Sequence, residues 1–203
     1  VTDRPAVVIV DNFDSFTFNL VDEFARRGCD VEVWRNTTDP NRLAARAGRN
    51  GGAGLLVLSP GPGAPSDAGH CVALVREFGT RVPVFGVCLG HQAIVEAYDG
   101  EVGPAGEVIH GRASQVTHEG DPIFAGIPSP FTVGRYHSLA GRALRAPMRP
   151  IAWCGSVVMA ARHDEHPVIG VQFHPESILT PDGGRLIENV LVWATRHHMR
   201  VQA

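Results

Sequence analysis

Four short apolar runs in the first half of the chain, each followed by a segment of different periodicity, constrain its fold more than any other feature. Residues 6–10 are an unbroken run of Ala, Val and Ile, the pattern of a strand buried on both faces. Phe16, Leu20, Val21 and Phe24 then recur at helical spacing, and Gly28 closes the segment. Residues 31–34 read as a second strand. Asp39 and Pro40 next supply an N-cap and a first-turn proline for a helix to about residue 47. A glycine-rich link (Gly48, Gly51, Gly52, Gly54) leads to a strand over 55–59, a helix over 71–78 and a strand over 82–87. Strand–helix–strand alternation implies an open, mostly parallel sheet with helices on both faces. Sites in such sheets lie at the carboxyl ends of the strands.

Beyond residue 101 the pattern turns to short runs separated by turn residues: 107–110, 113–118, 131–136, 151–154, 157–162 and 168–173. The runs on either side of Gly155 read as a small antiparallel excursion. A closing helix over 182–198 carries Leu186, Val190, Leu191 and Trp193 on its apolar face, and residues 200–203 are expected to fray. With 203 residues and 44% hydrophobic content, a single domain over 1–203 with an ample core is expected.

The strand 82–87 ends at Cys88, and a helix begins at once, with Leu89, Ala93 and Ala97 four residues apart and Ile94 beside them. Gly86 and Gly90 flank the cysteine and let strand and helix pack closely round a strained turn, the logic of a nucleophile elbow with a thiol in place of a hydroxyl. A helix N-terminus there favours the thiolate. A lone cysteine is more often simply buried, but the elbow reverses that expectation. Such a thiol needs a base, and among ten histidines His174 stands out. It ends the run 168–173 and is followed by Pro175 and Glu176, and a carboxylate near an imidazole fixes its tautomer and steadies its charged form. After the strand 55–59 comes Pro60-Gly61-Pro62-Gly63, a stiff loop whose glycine N–H groups could meet an oxyanion together with the N–H of Leu89. His91 adjoins the nucleophile but points about 100° away from it along the helix, so a structural hydrogen bond is expected of it instead.

Other chemistries are disfavoured. The net charge is −3 and no basic block occurs, so neither nucleic acid nor an anionic membrane is an expected partner. No apolar run nears the roughly 20 residues that span a bilayer and no leader pattern opens the sequence, so a cytoplasmic location is expected. Cys29, Cys71 and Cys154 form no C-x-x-C pair with each other or with Cys88 and read as inert thiols. All 18 basic residues are arginine, which removes Schiff-base chemistry and the lysine of a nucleotide loop. No G-x-G-x-x-G follows the first strand. No cofactor and no metal are expected; His110, His118, His137 and His163 lack ligand spacing, and the pairs His163/His166 and His197/His198 read as solvated.

The elbow, the His-Pro-Glu segment and the Pro-Gly loop, in this order, resemble the class I glutamine amidotransferases over nearly the whole chain. Within that family the likeness is first to anthranilate synthase component II, the glutaminase subunit of tryptophan biosynthesis, and nearly as much to the glutaminase of aminodeoxychorismate synthase, both serving chorismate-using synthases. It is carried by residues 11–17 (DNFDSFT), 58–63 (LSPGPG), 88–98 (CLGHQAIVEAY), 124–126 (FAG), 135–139 (RYHSL) and 173–179 (FHPESIL). The resemblance implies a flavodoxin-like fold and a Cys88–His174–Glu176 triad that hydrolyses L-glutamine through a thioester. It implies substrate contacts from Gly61, Pro62, Gly63 and Leu89, from the Gln92 side chain and from the backbone of Ser138 and Leu139. The implied partner is a chorismate-binding synthase subunit, either anthranilate synthase component I or aminodeoxychorismate synthase component I. The alternatives are the glutaminase of a phenazine-type synthase, a free-standing γ-glutamyl hydrolase and a non-catalytic binding subunit, the last opposed by the intact triad residues.

Overall fold

The computed structural model describes residues 5–47 and 54–201. In chain order the elements are β1 (Ala6–Asp11), α1 (Thr17–Ala25), β2 (Asp30–Arg35), α2 (Pro40–Ala47), β3 (Leu55–Leu58), α3 (Cys71–Phe78), β4 (Val84–Val87) and α4 (Leu89–Ala97). Then follow β5 (Glu101–Pro104), β6 (Arg112–His118), β7 (Phe131–Arg135), β8 (Leu139–Ala143), β9 (Met148–Cys154), β10 (Val157–His163), β11 (Val168–Val171) and α5 (Gly183–Val201). Asp39 caps α2 as expected, its carboxylate accepting from the backbone N–H of Asn41 at 2.8 Å.

Nine strands form one sheet in the order β2-β1-β3-β4-β11-β10-β9-β6-β7. The first five are mutually parallel. From β11 outward each pairing is antiparallel, and β5 with β8 make a separate antiparallel pair. The α/β architecture with a large parallel sheet and a small antiparallel one is as expected. Adjacent residues of the parallel strands feed different cores, as a period of two requires. Ile9, Val57, Val87 and Ile169 pack with Leu20 and Phe24 of α1 and Leu186 and Val190 of α5. Val10, Leu58 and Val168 pack on the other face with Leu43, Leu74 and Ile94 of α2, α3 and α4. Among the described residues no helix is long and apolar enough to cross a membrane.

Several expectations need correction. Residues 107–110 are not a strand: Glu107 and Val108 are exposed, and the segment is held by isolated backbone bonds such as Ile109 N–H to the His137 carbonyl at 3.2 Å. The strands β5 and β8 escape the sequence pattern because Gly103, Pro104 and Gly141 interrupt their alternation. The closing helix continues to Val201, so Arg200 is helical, and residues 202–203 lie outside the described set. Of the glycine-rich link, Gly48, Gly51 and Gly52 also lie outside it.

Candidate active site

Cys88 occupies the turn between β4 and α4 with φ 52° and ψ −102°, a left-handed conformation that is costly for a side chain bearing a Cβ. The strain is held by packing that only glycine permits. A Cβ on Gly86 would strike the Gly90 backbone, and one on Gly90 would run into the Leu58 carbonyl of β3. The Cys88 N–H donates to the Val171 carbonyl at 2.9 Å, so the backbone at the elbow is stitched to β11. Cys88 itself is 6% exposed.

Just past β11 the chain bends through Gln172 and Phe173, and His174 N–H donates to the Gly134 carbonyl at 3.1 Å. His174 Nδ1 lies 2.6 Å from Glu176 Oε1. Burial alone would lower the pKa of this ring, but the Cys88 sulfur and then the Glu176 carboxylate outweigh it and raise His174 above the ordinary histidine value. Nε2 has no hydrogen bond of good geometry among the described residues. Cys88 therefore acts on the ring from close by without being aligned to it, the loose approach common before substrate arrives. Two rings hold the imidazole edge-on: Phe16, 5.2 Å between centroids, and Tyr136, 4.9 Å. Phe16 precedes α1 rather than joining its apolar face, and although both rings lie within the quoted segments 11–17 and 135–139, nothing in the sequence assigns either to the imidazole. The Tyr136 hydroxyl is anchored 3.0 Å from Ser177 Oγ.

A cavity of about 280 Å³ brings Cys88 together with Gly61, Pro62, Gly63, Gln92, Ser138 and Leu139, and adds His110, Tyr136 and His137. Leu89 is the one expected contact residue whose side chain turns away: it packs under Gly61, whose missing Cβ would meet both Leu89 Cδ2 and Asn12 Cβ at 2.6 Å. Asn12 also braces the start of this loop, its backbone N–H donating to Ser59 Oγ at 2.9 Å and its Nδ2 to the Ser59 carbonyl at 2.8 Å. The Gln92 Nε2 donates to the Leu139 carbonyl at 2.9 Å and to Gln172 Oε1 at 3.2 Å, which leaves Oε1 of Gln92 as the atom able to meet a ligand. Gln172 Nε2 in turn lies 3.6 Å from Cys88 Sγ. The sequence motifs do not single out Gln172.

His137 sits opposite the thiol. Its Nε2 accepts from Arg135 Nε at 3.1 Å and its Nδ1 lies 2.8 Å from the Leu139 carbonyl. Burial, then the Arg135 charge, lower its pKa to about 4. Beside Glu176 a second cleft of about 420 Å³ is lined by Glu176, Ser177, Ile178, Arg26 and Arg27, and Glu176 Oε2 is buried without a partner among the described residues. His91 does not make the expected hydrogen bond: its Nδ1 abuts the Gly170 backbone, and neither ring nitrogen has a partner in hydrogen-bonding geometry among the described residues. Nor is His163 solvated: it is 2% exposed and stacked on His166 at 3.9 Å. No group of three or more His, Cys, Asp and Glu able to hold a metal occurs among the described residues. Burial raises Cys29 to about 11 and Cys71 to about 12, as inert thiols require.

A family model described as glutamine amidotransferase class-I matches residues 8–194. The chain is 43% identical over 187 residues to anthranilate synthase component 2 of Haemophilus influenzae, covering 92% of this chain and 96% of that protein. It is 46% identical over 189 residues to anthranilate synthase component 2 of Mycobacterium tuberculosis, covering 91% and 81%. A solved structure from Thermoplasma acidophilum, described as part of a GMP synthase, matches with a TM-score of 0.87 over 100% of both chains at 22% identity, a likeness of fold.

Proposed function

The chain belongs to the class I glutamine amidotransferases, and from that membership we propose that it is the glutaminase subunit of an anthranilate synthase, a single domain over residues 1–203 that delivers ammonia from L-glutamine to a chorismate-using partner. The observation that carries this reading is the meeting of the strained Cys88 with the His174–Glu176 pair at the ends of neighbouring strands, beside a cleft of about 280 Å³.

In this mechanism the Cys88 thiolate attacks the side-chain carbonyl carbon of glutamine. The resulting oxyanion meets backbone N–H groups of the Gly61–Gly63 loop and of Leu89. The raised pKa of His174 keeps its ring protonated and ready to pass Nε2–H to the departing amine. Ammonia leaves, a glutamyl thioester remains, and His174, now neutral, takes a proton from the water that cleaves it. Glu176 holds Nδ1–H throughout and fixes the tautomer. Gln92 Oε1 and the Ser138–Leu139 backbone orient the amino-acid head of the substrate. Relatives named anthranilate synthase component 2 favour an anthranilate partner over an aminodeoxychorismate one.

The test uses Cys88→Ser together with an anthranilate synthase large subunit. Glutamine-dependent anthranilate formation is expected to vanish while synthesis from added ammonium salt persists, because free ammonia bypasses the thiol. Glutamine-dependent turnover surviving in the serine variant would show that Cys88 is not the nucleophile.

A further inference from the structure

One buried side chain outside the family motifs touches the reacting sulfur. Gln172 is 0% exposed, and its Nε2 lies 3.6 Å from Cys88 Sγ. The direction of its amide is fixed by a chain of groups that can act in one sense only. Arg135 has donors and no acceptor, so its Nε–H makes Nε2 of His137 the acceptor and leaves the ring proton on Nδ1, facing the Leu139 carbonyl. That carbonyl can only accept, so Gln92 must turn its NH₂ end toward it, and the same NH₂ meets Oε1 of Gln172. The NH₂ of Gln172 is thereby aimed at the sulfur.

We propose that Gln172 is a catalytic residue, an amide donor that stabilises the Cys88 thiolate and couples it through Gln92 to the Leu139 carbonyl. An ionised acceptor gains about twice as much from an N–H donor as a neutral one does, so the contact favours the anion over the thiol. His174 cannot fill this role throughout, since its proton must go to the leaving amine. A donor that never titrates remains on the sulfur when the thioester collapses and the thiolate is expelled. Gln172 follows β11 directly, and its neighbours Val171 and Phe173 are both 0% exposed in one core.

The inference rests on Cys88 being the nucleophile. The titratable and charged groups around the sulfur are His174, with Glu176 behind it, Tyr136 beside His174, and His110 and His137 across the cleft, with Arg135 and its partner Glu107 behind His137. None of them is altered in the test. The rate of iodoacetamide labelling, read as the mass of the Cys88 peptide, is followed against pH in the whole chain. The variants are Gln172→Met, which keeps volume and removes the donor, and Gln172→Glu, which sets an acceptor against the sulfur. The labelling midpoint is expected to rise by roughly one pH unit with Met, about tenfold in rate at a fixed pH below it, and further with Glu. A folded Met variant with the wild-type profile would overturn the proposal. A second measurement needs no variant: the side-chain ¹⁵N–H resonances of Gln172 should move when Cys88 is alkylated while those of exposed Gln115 stay. Unmoved Gln172 resonances overturn the proposal equally. Failure of wild-type Cys88 to react in preference to the other cysteines would instead sink the glutaminase reading, so the two failures are distinct.

Discussion

His91 illustrates what the elbow demands of its neighbours. It must be small enough in profile to lie on the Gly170 backbone, and it is wholly buried with no hydrogen bond to either nitrogen among the described residues. Burial first, and the His137 charge second, depress its pKa to about 3 against the opposing pull of the Gly170 backbone. The native ring therefore stays neutral while the unfolded ring takes up a proton below its ordinary value of about 6.5. Between those limits the unfolded chain binds more protons, so this contribution is fully present above pH 6.5 and is lost as pH falls toward 3. The slope is up to about 1.4 kcal/mol per pH unit. His91→Gln removes the titrating ring, and urea unfolding at pH 7, 5.5 and 4.5 should show a shallower decline than the wild type. Parallel declines would assign the acid sensitivity elsewhere, with His137, lowered to about 4, the next group to replace.

At the level of elements, the contact between β3, β4 and α4 decides where the sulfur stands. Gly90→Ala forces the start of α4 away from the Leu58 carbonyl, a backbone atom that cannot step aside. Overpacking of this kind costs about 1–3 kcal/mol and should also slow Cys88 alkylation although no side chain of the site is lost. Gly106→Ala is the control: its φ of 85° makes alanine strained, but nothing lies within 4 Å. It should lower the urea midpoint without touching the thiol. Equal alkylation rates in the two variants would separate helix seating from reactivity. The parallel half of the sheet is legible in the sequence because its strands are buried on both faces and read as continuous runs, as at Leu55–Leu58. The antiparallel half is less so. Residues 107–110 look like a strand but pair with nothing in a ladder, while β5 and β8 hide behind glycine and proline. In the site, Cys88 and His174 are found from the elbow and the His-Pro-Glu segment. Gln172, Phe16 and Tyr136 act through contacts between segments distant in sequence, which no local pattern encodes.

For the molecule as a whole, the proposed function requires that hydrolysis wait for an acceptor of ammonia. Ile178, 96% exposed and two residues past Glu176, offers apolar surface beside the second cleft, with Phe13 and Phe18 also more than half exposed. The isolated chain should hydrolyse glutamine slowly, and an anthranilate synthase large subunit with chorismate should raise kcat. Ile178→Asp should raise the partner concentration needed for half-activation about tenfold, the equivalent of 1.4 kcal/mol, and leave Cys88 alkylation unchanged. Full turnover of the isolated chain, with no response to the partner, would favour a free γ-glutamyl hydrolase. The hydrogen bond from Cys88 N–H to the Val171 carbonyl has a broader meaning. Cys88 and His174 are held near one another by lateral pairing of β4 with β11, register Val87 with Val171, and not by the chain that runs between them. The enzyme is in that sense already bipartite. A cut in the turn after α4 would leave one fragment bearing the thiol and another bearing the imidazole, and their reassociation would announce itself as the return of glutaminase turnover.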